Sequence, residues 1–303
     1  MRIIFFSLFI LLLNYEIIYS QCSDAGVCTM GSLQSGKEVD SLSSNIILSQ
    51  FIGLGEQETF HFTFQPEVNF KLFSKTELQI KIPYHFITGN LGTANGIGDV
   101  SASVSQLIYK NQTSSAKITL GTKIPLTQPT QSKDNLPLPM AYQSTVGTND
   151  IIIGVAFFFN KWTFNAGYQH SFNRSSNSFL RSAWKENENA QKYFESNHLQ
   201  RSDDVMLRAE RKFILSKNKK LFIGLLPIYH LQKDIITDEN GNDIPLAQSD
   251  GITVNLTGSI LFPLKNNYTL KISSGNPLFL TRHTRPDGLT RTFNLGFHLE
   301  RNF

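Results

Sequence analysis

From Phe60 to its last residue the chain keeps alternating apolar and polar side chains. Successive residues of a strand point to opposite faces, so long alternation makes a ribbon with one greasy and one wet side. Phe60, Phe62, Phe64, Val68, Phe70 and Leu72 oppose His61, Thr63, Gln65, Glu67, Asn69 and Lys71. Leu78, Ile80, Ile82, Tyr84 and Phe86 oppose Glu77, Gln79, Lys81, Pro83 and His85. Similar runs begin near Val100, Trp162 and Ile252. Each is close to the roughly 9–11 residues of a tilted membrane strand. Ile151 to Phe159, apolar on both faces, and Leu221 to Leu231, which carries Pro227, are less regular but are also read as strands.

The final run, Thr292 to Phe303, puts Phe293, Leu295, Phe297, Leu299, Arg301 and Phe303 on one face. A terminal aromatic is odd for a soluble domain, whose last residues fray and are polar. It suits a strand with its apolar row in lipid and its polar row in a lumen.

The expected connections sort by length. Short ones fall at Phe73–Thr76, Asn111–Ser115, Asn160–Lys161, Ser216–Lys219 and Lys265–Asn267. Long ones fall between them, at Thr88–Gly96, Ile124–Thr148, Phe172–Arg201, Lys233–Asp250 and Gly275–Thr290. This is the two-sided layout of a membrane barrel, with tight periplasmic turns and long extracellular loops. The reading is all-β: a transmembrane antiparallel β-barrel of about 12 strands over 45–303. An even count leaves both termini in the periplasm. Phe179 to Leu199 reads either as a short helix over the mouth or as a solvated loop.

Mean hydropathy of -0.17 argues against a helical membrane protein. It suits a barrel, half of whose strand residues face water. A net charge of +4 is too small and scattered for nucleic acid. The start reads as an export signal, residues 1–20: Arg2 is followed by Ile3 to Leu13, apolar apart from Ser7 and too short to span a bilayer. Cleavage is expected after Ser20. The alternative, a lipid anchor on Cys22, lacks the small residue expected where Gln21 stands. Residues 21–44 read as a polar periplasmic lead or a plug in the barrel mouth. Cys22 and Cys28, the only cysteines, are expected to form a disulfide in an oxidising compartment. Two cysteines without nearby histidines cannot fill a zinc shell.

The C-terminal strand resembles the signal strand of Gram-negative outer-membrane barrels, which ends in an aromatic. That resemblance implies outer-membrane localisation and assembly by the barrel-assembly machinery through Phe293, Leu295, Phe297, Leu299 and Phe303. GIGDV at Gly96–Val100 and TLGTKIPLTQPTQ at Thr119–Gln131 resemble the outer-membrane transporters of the MetA-pathway-of-phenol-degradation family. These are similar in turn to barrels that import fatty acids. The resemblance implies uptake of small molecules, hydrophobic ones among them.

An enzyme is not expected. Tyr168-Gln169-His170-Ser171 resembles an outer-membrane phospholipase motif, but there the His and Ser are two apart. Adjacent His170 and Ser171 point to opposite faces, so the histidine cannot activate the serine. Asp238, Asn240, Asn242 and Asp243 lack the glycine and closing glutamate of a calcium loop and read as a turn. No cofactor or metal is expected. The candidate lumen row is Glu67, Lys71, Glu77, Lys81, Arg208, Glu210, Lys212, Lys271, His298 and Glu300, either bracing ion pairs or a polar filter. The expected function is a passive or gated channel. The alternative is a structural or adhesive barrel whose extracellular loops bind a partner.

Overall fold

The computed structural model describes residues 27–37, 44–216, 218–288 and 293–303. The expected signal peptide and Cys22 lie outside them. Twelve antiparallel strands follow one another around a closed wall. They are β1 (Asn45–Leu54), β2 (Phe60–Phe73), β3 (Thr76–Lys81 continuing as Tyr84–Gly89) and β4 (Gly92–Ile97 continuing as Asp99–Lys110). Next come β5 (Ser114–Pro125), β6 (Asp150–Phe159), β7 (Trp162–Ser171) and β8 (Asp204–Ser216). The last four are β9 (Lys219–His230), β10 (Gly251–Pro263), β11 (Tyr268–Leu280) and β12 (Phe293–Asn302).

Closure comes from β1 and β12, which pair along their whole length from Asn45–Asn302 to Leu54–Phe293. The Phe303 amide adds a bond to the Ser44 carbonyl at 3.0 Å. A closed wall leaves no unpaired edge, which a bilayer requires because it offers no water to backbone groups. The outward row is an apolar belt that includes Leu48, Phe70, Leu120, Ile153, Leu207, Leu225 and Leu299. At the end bearing the termini, Arg211 lies over Trp162 and Phe213 at 5.3 and 5.2 Å, and Arg301 over Tyr268 and Phe303 at 5.6 Å each. Aromatic rings capped by snorkelling cations are what a barrel needs where hydrocarbon meets headgroups.

The long connections gather at the end away from the termini, but two connections there are short. Gly55–Thr59 joins β1 to β2, and Asn90-Leu91 alone joins β3 to β4. The loop expected over Thr88–Gly96 is therefore a correction: it is a hairpin, with Gly89 opposite Gly92 and Tyr84 opposite Ile97. Its glycines resemble breakers but serve a tight turn, where Gly92 takes φ +136°. Between Phe179 and Leu199 there is no α-helix, only short 3-10 turns at Arg181–Trp184 and Ala190–Lys192. These turns pack Phe179, Trp184 and Tyr193 with Ile87, Leu91 and Tyr142 into a buried cap over the loop end.

Candidate functional site: the occluded lumen

The bore holds two polar zones with a plug between them. Val27–Leu33 lies inside the barrel against β5, β6 and β7, with Val27, Met30 and Leu33 fully buried. The seat is shaped by missing side chains. A Cβ on Gly154 would come within 2.6 Å of Leu33 Cδ1, and one on Gly167 within 2.6 Å of Val27 Cγ2. Gly154 and Gly167 are cross-strand partners, so they form one notch in the wall. This also explains the doubly apolar β6. Its outward residues face the belt, while Ile152 points inward and joins Val27, Cys28, Met30, Leu33, Met206 and Leu226 in a second buried cluster.

Wall side chains satisfy the plug backbone, as buried peptide groups require. Gln169 Oε1 accepts from the Val27 amide at 3.1 Å, and Gln79 Oε1 from the Gly31 amide at 2.8 Å. Asn165 Nδ2 donates to the Leu33 carbonyl at 3.1 Å. The arm that follows, Gln34–Lys37, is fastened by carboxylates. Glu210 accepts from the Gly36 amide at 2.9 Å, and Lys37 pairs with Glu77 at 3.3 Å.

The candidate lumen residues divide accordingly. Glu67, Glu77, Lys81, Arg208 and Glu210 are buried inside, around the plug and its arm. Lys212, Lys271, His298 and Glu300 line the vestibule beyond it. Lys71 is a correction: it lies exposed at the rim, its amide bonded to Ser44, and does not line the cavity. Phe293, Phe297, Leu299 and Phe303 all face outward, and Leu295 is partly covered in the same row. Cys28 is buried in the plug.

A vestibule of about 1010 Å³ runs from the plug to the end bearing the termini, between Lys110–Ser114, Pro263 and Asn302. On the other side, about 70 Å³ remains between Thr29 and the inward-folded residues Met140–Val146. Thr29 borders both cavities, so the plug is the partition.

Above the small cavity, six buried side chains close a ring that sequence reading did not single out. Arg201 donates to Asp204 at 2.6 Å and to Asp287 at 3.1 Å. Arg282 reaches Asp234 at 2.8 Å and Asp287 at 3.1 Å. His230 closes the circuit between Asp204 (2.6 Å) and Asp234 (2.8 Å). Both imidazole nitrogens face carboxylate oxygens, the arrangement of an imidazolium that donates twice. At the cap, burial pushes the Glu56 carboxyl up to about 8, against the Phe194 amide that donates to it at 2.8 Å.

Elsewhere, His170 Nδ1 meets Asp203 at 2.7 Å, while the Ser171 hydroxyl is buried without a hydrogen-bond partner. Asp238 accepts from the Asn240 and Asn242 amides at 2.8 Å each, which makes the turn. No group of metal-ligating residues occurs among the described residues.

No family model and no curated protein matches the sequence. Solved structures do. A COG4313 outer membrane channel from Pseudomonas putida F1 is similar, with TM-score 0.62 and 12% identity, over 89% of this chain and 99% of that one. The fold is that of an outer-membrane β-barrel. Weaker likenesses, which carry no argument, are the KdgM porin (TM-score 0.45, 8% identity, 86% and 99% covered) and the NanC porin (0.47, 9%, 85% and 98%).

Proposed function

We propose that the chain is an outer-membrane channel for uptake of small molecules, closed at rest by residues 27–37 and by the cap. Its long loops and cap face outward, and its vestibule faces the periplasm. The observation that carries this reading is that a docked segment, residues 27–37, and not the wall's own side chains, divides the polar bore beneath the cap. A wall made only to be rigid would fill its lumen with side chains and need no docked strap. Side chains that now bind the plug backbone become a hydrated polar lining once it leaves. The proposal contains no covalent chemistry. Uptake of hydrophobic compounds rests on the family resemblance alone.

In planar bilayers the full chain is expected to conduct rarely, and a chain lacking residues 21–44 to conduct more often, with the cap as its remaining gate. Silence of both, with no uptake defect in a deletion strain, would favour the adhesive reading. A second outcome concerns assembly. Removing Arg301–Phe303 takes away the Ser44 bond and the Asn45–Asn302 pair that begin closure. Heat-modifiable barrel in the outer membrane is then expected to fall severalfold, with unaltered conductance per assembled pore. Wild-type amounts would refute a role for these residues in closure.

A further inference from the structure

We infer that the solutes are small organic anions, carboxylates above all, and that the plug occupies their binding groups. This rests on the channel reading above. Three wall cations bind the plug through neutral backbone carbonyls. Arg208 donates through Nη1 to the Leu33 carbonyl and through Nη2 to the Cys28 carbonyl at 3.2 Å. Lys271 Nζ donates to the Ser35 carbonyl at 2.6 Å, and Lys81 Nζ to the Thr29 carbonyl. Lys81 also faces Glu67 at 3.6 Å. Arg208 is 5% exposed, and its Nε has no hydrogen-bond partner among the described residues.

A guanidinium is a planar fork shaped for a carboxylate, which can take two of its donors at once. Two separate carbonyls take two of the fork's hydrogens, and Glu210 is the one carboxylate among the described residues whose charge acts on it. In a confined lumen a full negative charge is attracted more strongly than a carbonyl dipole, because little water screens it. A carboxylate is therefore the better partner for Arg208 than the plug it would replace.

The surroundings keep this preference. The vestibule wall carries Lys110, Lys212 and Lys220 besides the three cations above, against Glu67 and Glu300. Adding Glu77 and Glu210, which hold the plug arm, leaves six positive against four negative side chains. Lys271 lines the vestibule beside the arm and holds the Ser35 carbonyl. Capture at Lys271 loosens the arm, and capture at Arg208 releases the plug itself. Binding and opening thus draw on the same groups.

The test uses planar bilayers and a KCl gradient. The chain without residues 21–44 is expected to pass chloride at least ~3-fold better than potassium, since a lumen of one sign raises local counter-ion concentration. Arg208→Glu with Lys271→Glu in the same background is expected to bring that ratio to parity or below. With the full chain, added succinate is expected to increase opening, and the neutral succinamide is not. If the shortened chain fails to fold, Gly167→Leu in the full chain opens the bore by another route. A conducting barrel that prefers potassium, ignores the double substitution, or opens equally with succinamide overturns the anion inference and leaves the channel standing. Absence of conductance from both opened forms overturns the channel reading as well.

Discussion

Gly167→Leu is expected to unseat the plug and raise the open fraction of the full-length channel, with the barrel still folded. The Gly167 Cβ position already lies 2.6 Å from Val27 Cγ2, closer than real Cβ contacts allow. Outward movement is barred because the strand ladder fixes Gly167 between Gly154 and Met206. The plug, held by hydrogen bonds and modest apolar burial, is the part that can yield. Overpacking of a fitted contact costs about 1–3 kcal/mol. At 1.4 kcal/mol per tenfold, that shifts the docked-to-released ratio by about 5- to 150-fold. Gly258 offers the contrast, since a Cβ there would meet only the Phe222 carbonyl at 3.9 Å. Gly258→Ala is expected to leave the channel as closed as the parent. Single-channel recording with heat-modifiability as the folding control decides the matter. Equal open fractions for Gly167→Leu and Gly258→Ala would show that the notch does not hold the plug.

The wall was legible because its two solvents differ. Lipid and lumen impose opposite chemistry on alternate residues, and the alternation reports both. The rule faltered where the inner face meets protein in place of water. Ile152 looked anomalous beside Ile151 and Ile153 because it packs on the plug. Leu226, next to Pro227, does the same on β9. Those two irregular strands were in effect the sequence signal for an occupied bore, though nothing in them named the occupant. Inward polarity is periodic, so a lumen row can be named from sequence, and Lys71 at the rim departs from it. Its contacts cannot be named so, since Arg208 meets Leu33 across 175 positions and no local pattern encodes that meeting. The six-membered ring was invisible for the same reason. Its residues come from strand ends and three loops, where charged side chains are ordinary.

That ring supports the second large effect. Asp287 has a fully buried carboxylate that accepts from both Arg201 and Arg282 at 3.1 Å, joining the loop after β7 to the loop after β11. Asp287→Ala leaves two guanidiniums buried with less compensation than they have now. Removing one partner from a buried ion pair typically costs about 3–5 kcal/mol. The cost falls on the cap, because neither loop belongs to the strand ladder that closes the wall. Local opening of the cap is therefore expected to become about two to three and a half orders of magnitude more frequent, while the heat stability of the barrel stays near the parent's. Trypsin reports this directly, for Lys185 sits exposed on the loop whose base Arg201 anchors. Cleavage there in intact cells should accelerate in Asp287→Ala. It should accelerate less in Asp287→Asn, which keeps an acceptor but loses the charge that balances the two arginines. Equal cleavage in all three proteins would mean that the apolar packing of Phe179, Trp184 and Tyr193 alone holds the cap down. In that case the ring serves only to neutralise charges the loops bring inside.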